Sequence, residues 1–502
     1  MTLHVRGVRR ARLPLACTTA LACAFGIISP VFAQLMPPAA PPPQSATPGT
    51  LPPELVPAGR LGKPGVPQVL RWTEDWGQPE AGSTPLGALR HISLGREDAY
   101  LSIGGEARFY YMDTNHLTLG ARPGDDSNST FMQRLRLMAD LHVGPHFRAF
   151  VELGDNREYG EEIATPPNED KFDLEQAFVD VTLPLGSSAT LNLRPGRFEM
   201  PLGSGKLVGL REGPNSRFLF QGVRATYTLP GAVRVDAFLT KPVEVKSESS
   251  FDDGTIDGGR LNGVHVSTLP GALVPGLAVD SYYYNVKRRA APFVDRRVDE
   301  ERESIGVRAY GRSGPWDYDA EAVYQFGQSG SDRIRAWGLL MEAGYSMPHL
   351  PLTPRLGLRV NAFSGDGTPD NGTNGTFVAP FPKAPVYTNS DTAWFNFSNM
   401  VDIFPMLSLK PARTVTIVTG PEVFWRQTAN DVTYAAPTSA PLIRPVGDDR
   451  YVGTAYNFDV NWQPAAYVAF RFSYNRFFAS EAFKAGGGES AHFLGVQTQL
   501  KF

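Results

Sequence analysis

The sequence predicts an all-β protein whose antiparallel sheet closes into a transmembrane barrel of about eighteen strands. Three observations carry this. Segments that alternate strictly between apolar and polar residues recur from about residue 100 to the end of the chain. The connections between them switch between short turns and long polar loops. The final segment, "HFLGVQTQLKF", stops on an aromatic residue, Phe502.

Alternation of period two marks a strand with one apolar and one polar face. In 131–143, Leu135, Leu137, Ala139, Leu141 and Val143 oppose Arg134, Arg136, Asp140 and His142. In 456–462, Tyr456, Phe458, Val460 and Trp462 oppose Asn457, Asp459 and Asn461. In 468–475, Val468, Phe470, Phe472 and Tyr474 oppose Ala469, Arg471, Ser473 and Asn475. Candidate segments begin near 100, 131, 147, 172, 189, 219, 233, 261, 276, 303, 316, 333, 354, 396, 413, 451, 466 and 492.

Short turns such as Gly144-Pro145-His146, Pro230-Gly231-Ala232, Ser313-Gly314-Pro315, Lys410-Pro411-Ala412 and Gln463-Pro464-Ala465 separate strands on one side. Long loops, for example 112–130, 242–260, 364–391, 427–450 and 477–491, lie on the other. Outer-membrane barrels sort their connections in this way, and soluble sandwiches have no reason to. A closed barrel also leaves no unpaired edge in the bilayer. The apolar parity, with Tyr456, Trp462 and Tyr474 at the interfaces, is expected to face lipid. The terminal Phe502 is the feature by which barrel-assembly machinery would read the last strand. The expected location is the bacterial outer membrane, with its lipids as partners.

Four stretches follow in order. Residues 1–33 read as a signal peptide: Arg6, Arg9, Arg10 and Arg12 precede the apolar run 13–28, and Val31-Phe32-Ala33 offers a cleavage site before Gln34. Residues 34–70 form a Pro-rich tether that cannot build a core. Residues 71–99 lead in from the periplasm, and 100–502 form the barrel. Both cysteines, Cys17 and Cys23, fall in the signal, so the mature chain has no disulfide or thiolate site. Loss of its four arginines takes the formal charge from −3 to −7, which argues against nucleic acid as a partner. No stretch of about 20 apolar residues follows residue 33, so no transmembrane helix is expected in the mature chain.

If the apolar parity faces lipid, the polar parity faces the lumen. Arg108, Arg134, Arg136, Arg148, Arg224, Arg234, Arg308, Arg312, Arg359, Arg426 and Arg471 then point inward. So do Glu106, Asp140, Glu152, Asp180, Asp236, Asp280, Asp319, Glu321, Glu342, Glu422 and Asp459. Such groups can pair across the wall and brace it, or arginines left over can line a path for anions. Arg134 and Arg136, two apart on one face, read as a ligand-facing ladder. Arg194 and Arg197 have opposite parities, and a bulge at Pro195-Gly196 would turn both inward.

The stretch "RPGRFEMPLGSGKLVGLREGPNSR" (194–217) resembles the alginate export family of bacterial outer-membrane β-barrel proteins. The likeness runs in order through "RWTEDW" (71–76), "LRHISL" (89–94), "FMQRLRL" (131–137), "DLEQAFVDV" (173–181), "VRVDAFLTKP" (233–242) and "WDYDAEAVYQFG" (316–327). It continues in "IRAWGLLMEAGY" (334–345), "VNAFSGDG" (360–367), "EVFWRQTANDVTY" (422–434) and the closing strand. The resemblance implies a porin-like barrel of eighteen strands and a passive channel for a secreted polysaccharide, lined by basic residues. Carried over residue by residue, it covers Arg134, Arg136, Arg197, Glu199, Arg211, Arg217 and Arg426. Periplasmic polysaccharide-secretion components are the partners it implies. The chain departs from that picture in two ways. Its lumenal signs look nearly balanced, and its short turns are too brief to plug the periplasmic side, so a gate is expected from the long loops.

The main rival is an uptake porin for small organic anions or sugars, which shares the fold. An enzyme is not expected: His142, His265 and His492 are isolated from any rim nucleophile. No cofactor or metal is expected either. Asp366 to Asp370 lacks the spacing of a helix–loop–helix calcium site and reads as a surface loop.

Overall fold

A computed structural model describes residues 65–77, 86–268, 271–293, 296–383, 394–436 and 440–502. The signal peptide and nearly all of the Pro-rich tether lie outside the described residues. Eighteen long strands form the barrel. They are β1 (Ala99–Thr114), β2 (Asn128–Val143), β3 (Phe147–Tyr159), β4 (Asp170–Leu185), β5 (Ala189–Phe198) and β6 (Phe220–Leu229). Next come β7 (Val233–Glu244), β8 (Arg260–Thr268), β9 (Leu277–Phe293), β10 (Arg296–Ser313), β11 (Trp316–Ser329) and β12 (Asp332–Ser346). The last six are β13 (Arg355–Phe363), β14 (Met400–Ala412), β15 (Val415–Arg426), β16 (Tyr451–Ala465), β17 (Val468–Ala479) and β18 (Ala491–Lys501).

Each strand pairs antiparallel with the next, and β1 pairs with β18 from Glu106↔Lys501 to Thr114↔Phe493. Phe502 adds the last rung, exchanging backbone hydrogen bonds with Gly105 at 3.0 and 3.1 Å. The terminal aromatic therefore completes closure of the sheet.

Burial follows the alternation. Leu135 and Leu137 are 39% and 53% exposed, whereas Arg134 and Arg136, which alternate with them, are 0% and 5%. The apolar parity is the outer face, and the charged parity is packed inside. Tyr456, Trp462 and Tyr474 are exposed on the outer face, with Trp462 stacked on Phe470 at 4.8 Å.

Two features differ from the sequence reading. The tenth strand starts at Arg296 rather than near 303, because Arg297, Asp299, Glu300, Glu301 and Arg302 put charge on both parities and hide the period. The second is a loop length. The β11–β12 connection is only Gly330-Ser331, and β9 and β10 lengthen to 17 and 18 residues. A transmembrane strand needs only about 9–11 residues, so this part of the rim rises as hairpins rather than as loops.

Candidate functional site

The lumen is narrowed by two inserted loops. Residues 199–219, between β5 and β6, fold inward and run toward β11. Val208 bridges to Phe381 of the long loop 364–399, and Phe381 in turn donates to Leu207 O at 2.8 Å. Phe381 packs edge-on against Phe218 and Phe220 at 5.4 and 5.1 Å. The two loops thus form one inner ribbon with its own apolar core. Polar anchors fix it to the wall. Ser204 donates to Glu321 at 2.8 Å, Lys206 lies 3.5 Å from Asp319, and Arg288 donates to Pro380 O at 2.6 Å.

Arg134 and Arg136 project inward, but neither is open to a passing ligand. Arg134 donates to Glu106 at 2.8 Å and to Glu212 at 2.9 Å. Arg136 lies 3.4 Å from Glu152, 3.5 Å from Glu175 and 3.2 Å from Glu199. Arg217 pairs with Glu199 at 2.9 Å and with Glu212, and Arg108 donates to Pro214 O at 2.8 Å and Asn215 at 2.9 Å. These arginines share a cage with Glu106, Glu152, Glu175, Glu199 and Glu212, so no excess positive charge remains. The cage ties 211–217 to β1, β2 and β3. The ladder reading of Arg134 and Arg136 gives way to a bracing one, because the inserted loop brings carboxylates that the strands alone do not supply.

Most other arginines also brace the wall. Arg148 forks onto Asp140, and Arg194 onto Asp180, each through two hydrogen bonds of 2.7 Å. Arg224 reaches Asp236 at 2.9 Å. Arg308 joins Asp319 at 2.8 Å and Asp280 at 3.1 Å, while Arg359 pairs with Glu342 at 3.2 Å. Arg426 instead gathers the carbonyls of Ala429 and Asp449, at 2.7 and 2.6 Å, and so pins the loop 427–450. Arg211 stacks on Phe218 at 4.2 Å with a left-handed φ of 59°. Arg312 differs from its expected lumenal burial and is exposed beside the turn at Gly314.

Arg197 is a correction. No bulge occurs at Pro195-Gly196, where β5 pairs continuously with β6. Gly196 absorbs the irregularity with φ +135°, at a place where a Cβ would lie 2.3 Å from the Ala177 carbonyl oxygen. Arg197 keeps the outward parity and donates to the carbonyls of Leu174 and Asp253. The bulge sits in β4 instead. Glu152 pairs with Gln176 but Leu153 pairs with Leu174, so Glu175 is the extra residue. That turns both Glu175 and Gln176 inward and supplies one wall of the Arg136 cage.

The periplasmic mouth holds a feature that turn lengths did not reveal. Residues 65–77 form a strap against the inner face. Arg71 donates to Phe502 O at 2.8 Å, and Lys501 to Gln68 O at 3.3 Å. Trp72 lies under Arg194 at 4.1 Å, and Arg217 reaches Val69 O at 3.3 Å. Glu74 knots the strap, taking Arg71 at 3.1 Å, Trp76 Nε1 at 2.8 Å, and Arg90. Burial pulls Arg90 down to about 10, with Glu74 opposing, so it stays charged at neutral pH. Gly104 makes room, since a Cβ there would collide with Arg90. Beside the long loops from which a gate is expected, the lead-in segment thus packs against the inner face at the other end.

Sequence reasoning also missed Lys206 and Lys383, because neither sits on an alternating strand. Both come from the inner ribbon and stand near Arg359. Among the described residues no carboxylate pairs with Lys383, and its side chain is accessible. The surrounding protein still penalises its charge, and Lys206 and Arg359 repel it, which together pull it down to about 8.

Against known proteins, the model of the alginate export family matches residues 99–497. The chain belongs to the alginate export family. No protein of curated function matches it significantly. Among solved structures it is similar to three Pseudomonas aeruginosa proteins. OccK9 (OpdG) aligns with a TM-score of 0.53 at 11% identity, over 80% of this chain and 98% of that one. OpdQ gives 0.52 at 11%, over 80% and 98%, and OccK5 (OpdH) 0.51 at 14%, over 81% and 98%. At such identities these likenesses show the fold alone. An alginate export barrel of this kind is an outer-membrane channel protein.

Proposed function

We propose that the chain is a passive outer-membrane channel that exports an anionic polysaccharide of the alginate type. The observation that carries this is the family match, which runs from the first strand into the eighteenth. The lumen supports it through Lys206, Lys383 and Arg359, which gather at the inner ribbon where a polyanion would pass. The remaining candidate arginines are proposed to shape this path by holding the wall and the inserted loops, not by touching the polymer in turn. Phe502 is proposed as the mark read by barrel-assembly machinery, and periplasmic secretion components as the source of the polymer.

The test is conductance in planar bilayers. A polyuronate added on the periplasmic side is expected to block the channel at concentrations where its monomer does not. Block by the monomer alone would instead favour uptake of small organic anions or sugars. The inserted ribbon is the one observation that favours this second reading, since a narrowed lumen suits a small solute.

Lys383 gives a pH test. Its ammonium is charged below about 8 and neutral above, so positive charge leaves the ribbon as pH rises. The anion-over-cation permeability ratio is expected to fall between about pH 7 and 9. Lys383→Gln should start low and lose that step. A step that survives the substitution would place the titrating group elsewhere.

A further inference from the structure

Three carboxylates meet at the rim opposite the short turns. Asp170 and Asp173 open β4, and Asp253 belongs to the loop 245–259. One oxygen or more of each lies within 4.8 Å of the others. Two ligands facing each other across one calcium ion, at about 2.4 Å each, stand about that far apart. Asp170 and Asp173 are each only 2% exposed.

Proximity of acids alone is no site. The second observation is an unanswered one. Asp170 Oδ1 is buried and has no hydrogen-bond partner, and the same holds for Asp253 Oδ2. Elsewhere along the inner face several buried carboxylates, Asp140, Asp180 and Asp317 among them, fork onto arginines. Here, among the described residues, no lysine or arginine forms an ion pair with any of the three. A neighbouring cation, Arg197, spends donors on the carbonyls of Leu174 and Asp253. Asp173 is instead fixed by backbone N–H groups, from Asp252 at 2.9 Å and Asp253 at 3.3 Å. The Lys246 N–H holds the other oxygen of Asp253 at 2.8 Å. The oxygens left over are thus oriented and dry, which is costly unless a cation answers them.

We infer that Asp170, Asp173 and Asp253 bind one divalent cation of the calcium class and thereby staple the loop 245–259 to β4. The donors are all hard oxygens, and one comes from a loop, which suits the larger, geometrically tolerant ion over magnesium. The staple acts at the β4 bulge, so its state reaches Glu175 and the Arg136 cage.

The full chain, refolded in detergent without lipopolysaccharide, should be titrated with Tb³⁺ by luminescence and then with Ca²⁺ as competitor. One Tb³⁺ site is expected, displaced by Ca²⁺ with a Kd on the order of 10⁻⁴–10⁻³ M and at least tenfold less readily by Mg²⁺. Asp170→Asn with Asp253→Asn should weaken binding at least tenfold while the barrel still shows folded mobility in a cold gel. Ca²⁺ should also slow proteolysis within 245–259 in the wild type only. Should the double variant fail to fold, Asp253→Asn alone, on the loop, carries the same expectation. Unaltered Tb³⁺ binding in a folded variant, or no Ca²⁺ competition at about 10 mM, overturns the assignment.

Discussion

Arg136→Gln is expected to destabilise the barrel by about 3–5 kcal/mol, the usual cost of leaving buried charges without their partner. Glu152, Glu175 and Glu199 surround Arg136, and all four side chains are at most 1% exposed. Glutamine is shorter, keeps only two donors and lacks the charge, so like carboxylates would face each other in a dry site. Glu199 keeps Arg217, at 2.9 Å, but Glu152 has no second ion-pair partner among the described residues. The readout is the midpoint of urea unfolding in detergent, or of heat-induced loss of folded gel mobility. Adding Glu152→Gln should recover part of the loss, because it removes the stranded charge. Ion selectivity should hardly move. If instead stability changes by less than ~0.5 kcal/mol while reversal potentials shift toward cations, Arg136 lines the path and the bracing account fails.

That outcome bears on what the sequence could show. The barrel was legible because each membrane strand must bury one parity in lipid, and Leu135 and Leu137 against Arg134 and Arg136 state that parity plainly. Strand order followed from turn lengths, and closure from the lack of any edge suited to lipid. The interior was less legible. Alternation says which way Arg134 points but not what it meets. Glu212 meets it from a loop with no period, and Glu175 enters only because a bulge in β4 breaks the period. Arg197 failed for the same reason: Pro195-Gly196 looked like the irregular point, yet Gly196 absorbed it by its backbone angle. The strap was hidden differently. Trp72 and Trp76 are large apolar residues in a segment without alternation, and such residues need a surface to cover. Their density in "RWTEDW" was a signal of docking, but nothing local named the inside of the barrel as the dock.

Glu74→Ala is expected to open the periplasmic mouth and raise single-channel conductance several-fold. Glu74 is the point where the strap is tied to itself and to the lead-in that follows. Its two oxygens take Arg71, Arg90 and the Trp76 indole, and the side chain is fully buried. Without it, Arg71 and Arg90 become buried cations lacking a carboxylate, and Arg90 is already held down by burial. The cheapest relief is for residues 65–77 to leave the mouth and take both arginines to water. The barrel itself should survive, since its closure by β1 and β18 does not use Glu74. Unfolding midpoints should therefore fall much less than for Arg136→Gln. Conductance of Glu74→Ala equal to wild type, with the strap shown to be released by proteolysis, would mean that the inner ribbon alone sets the resistance and the strap is not the gate.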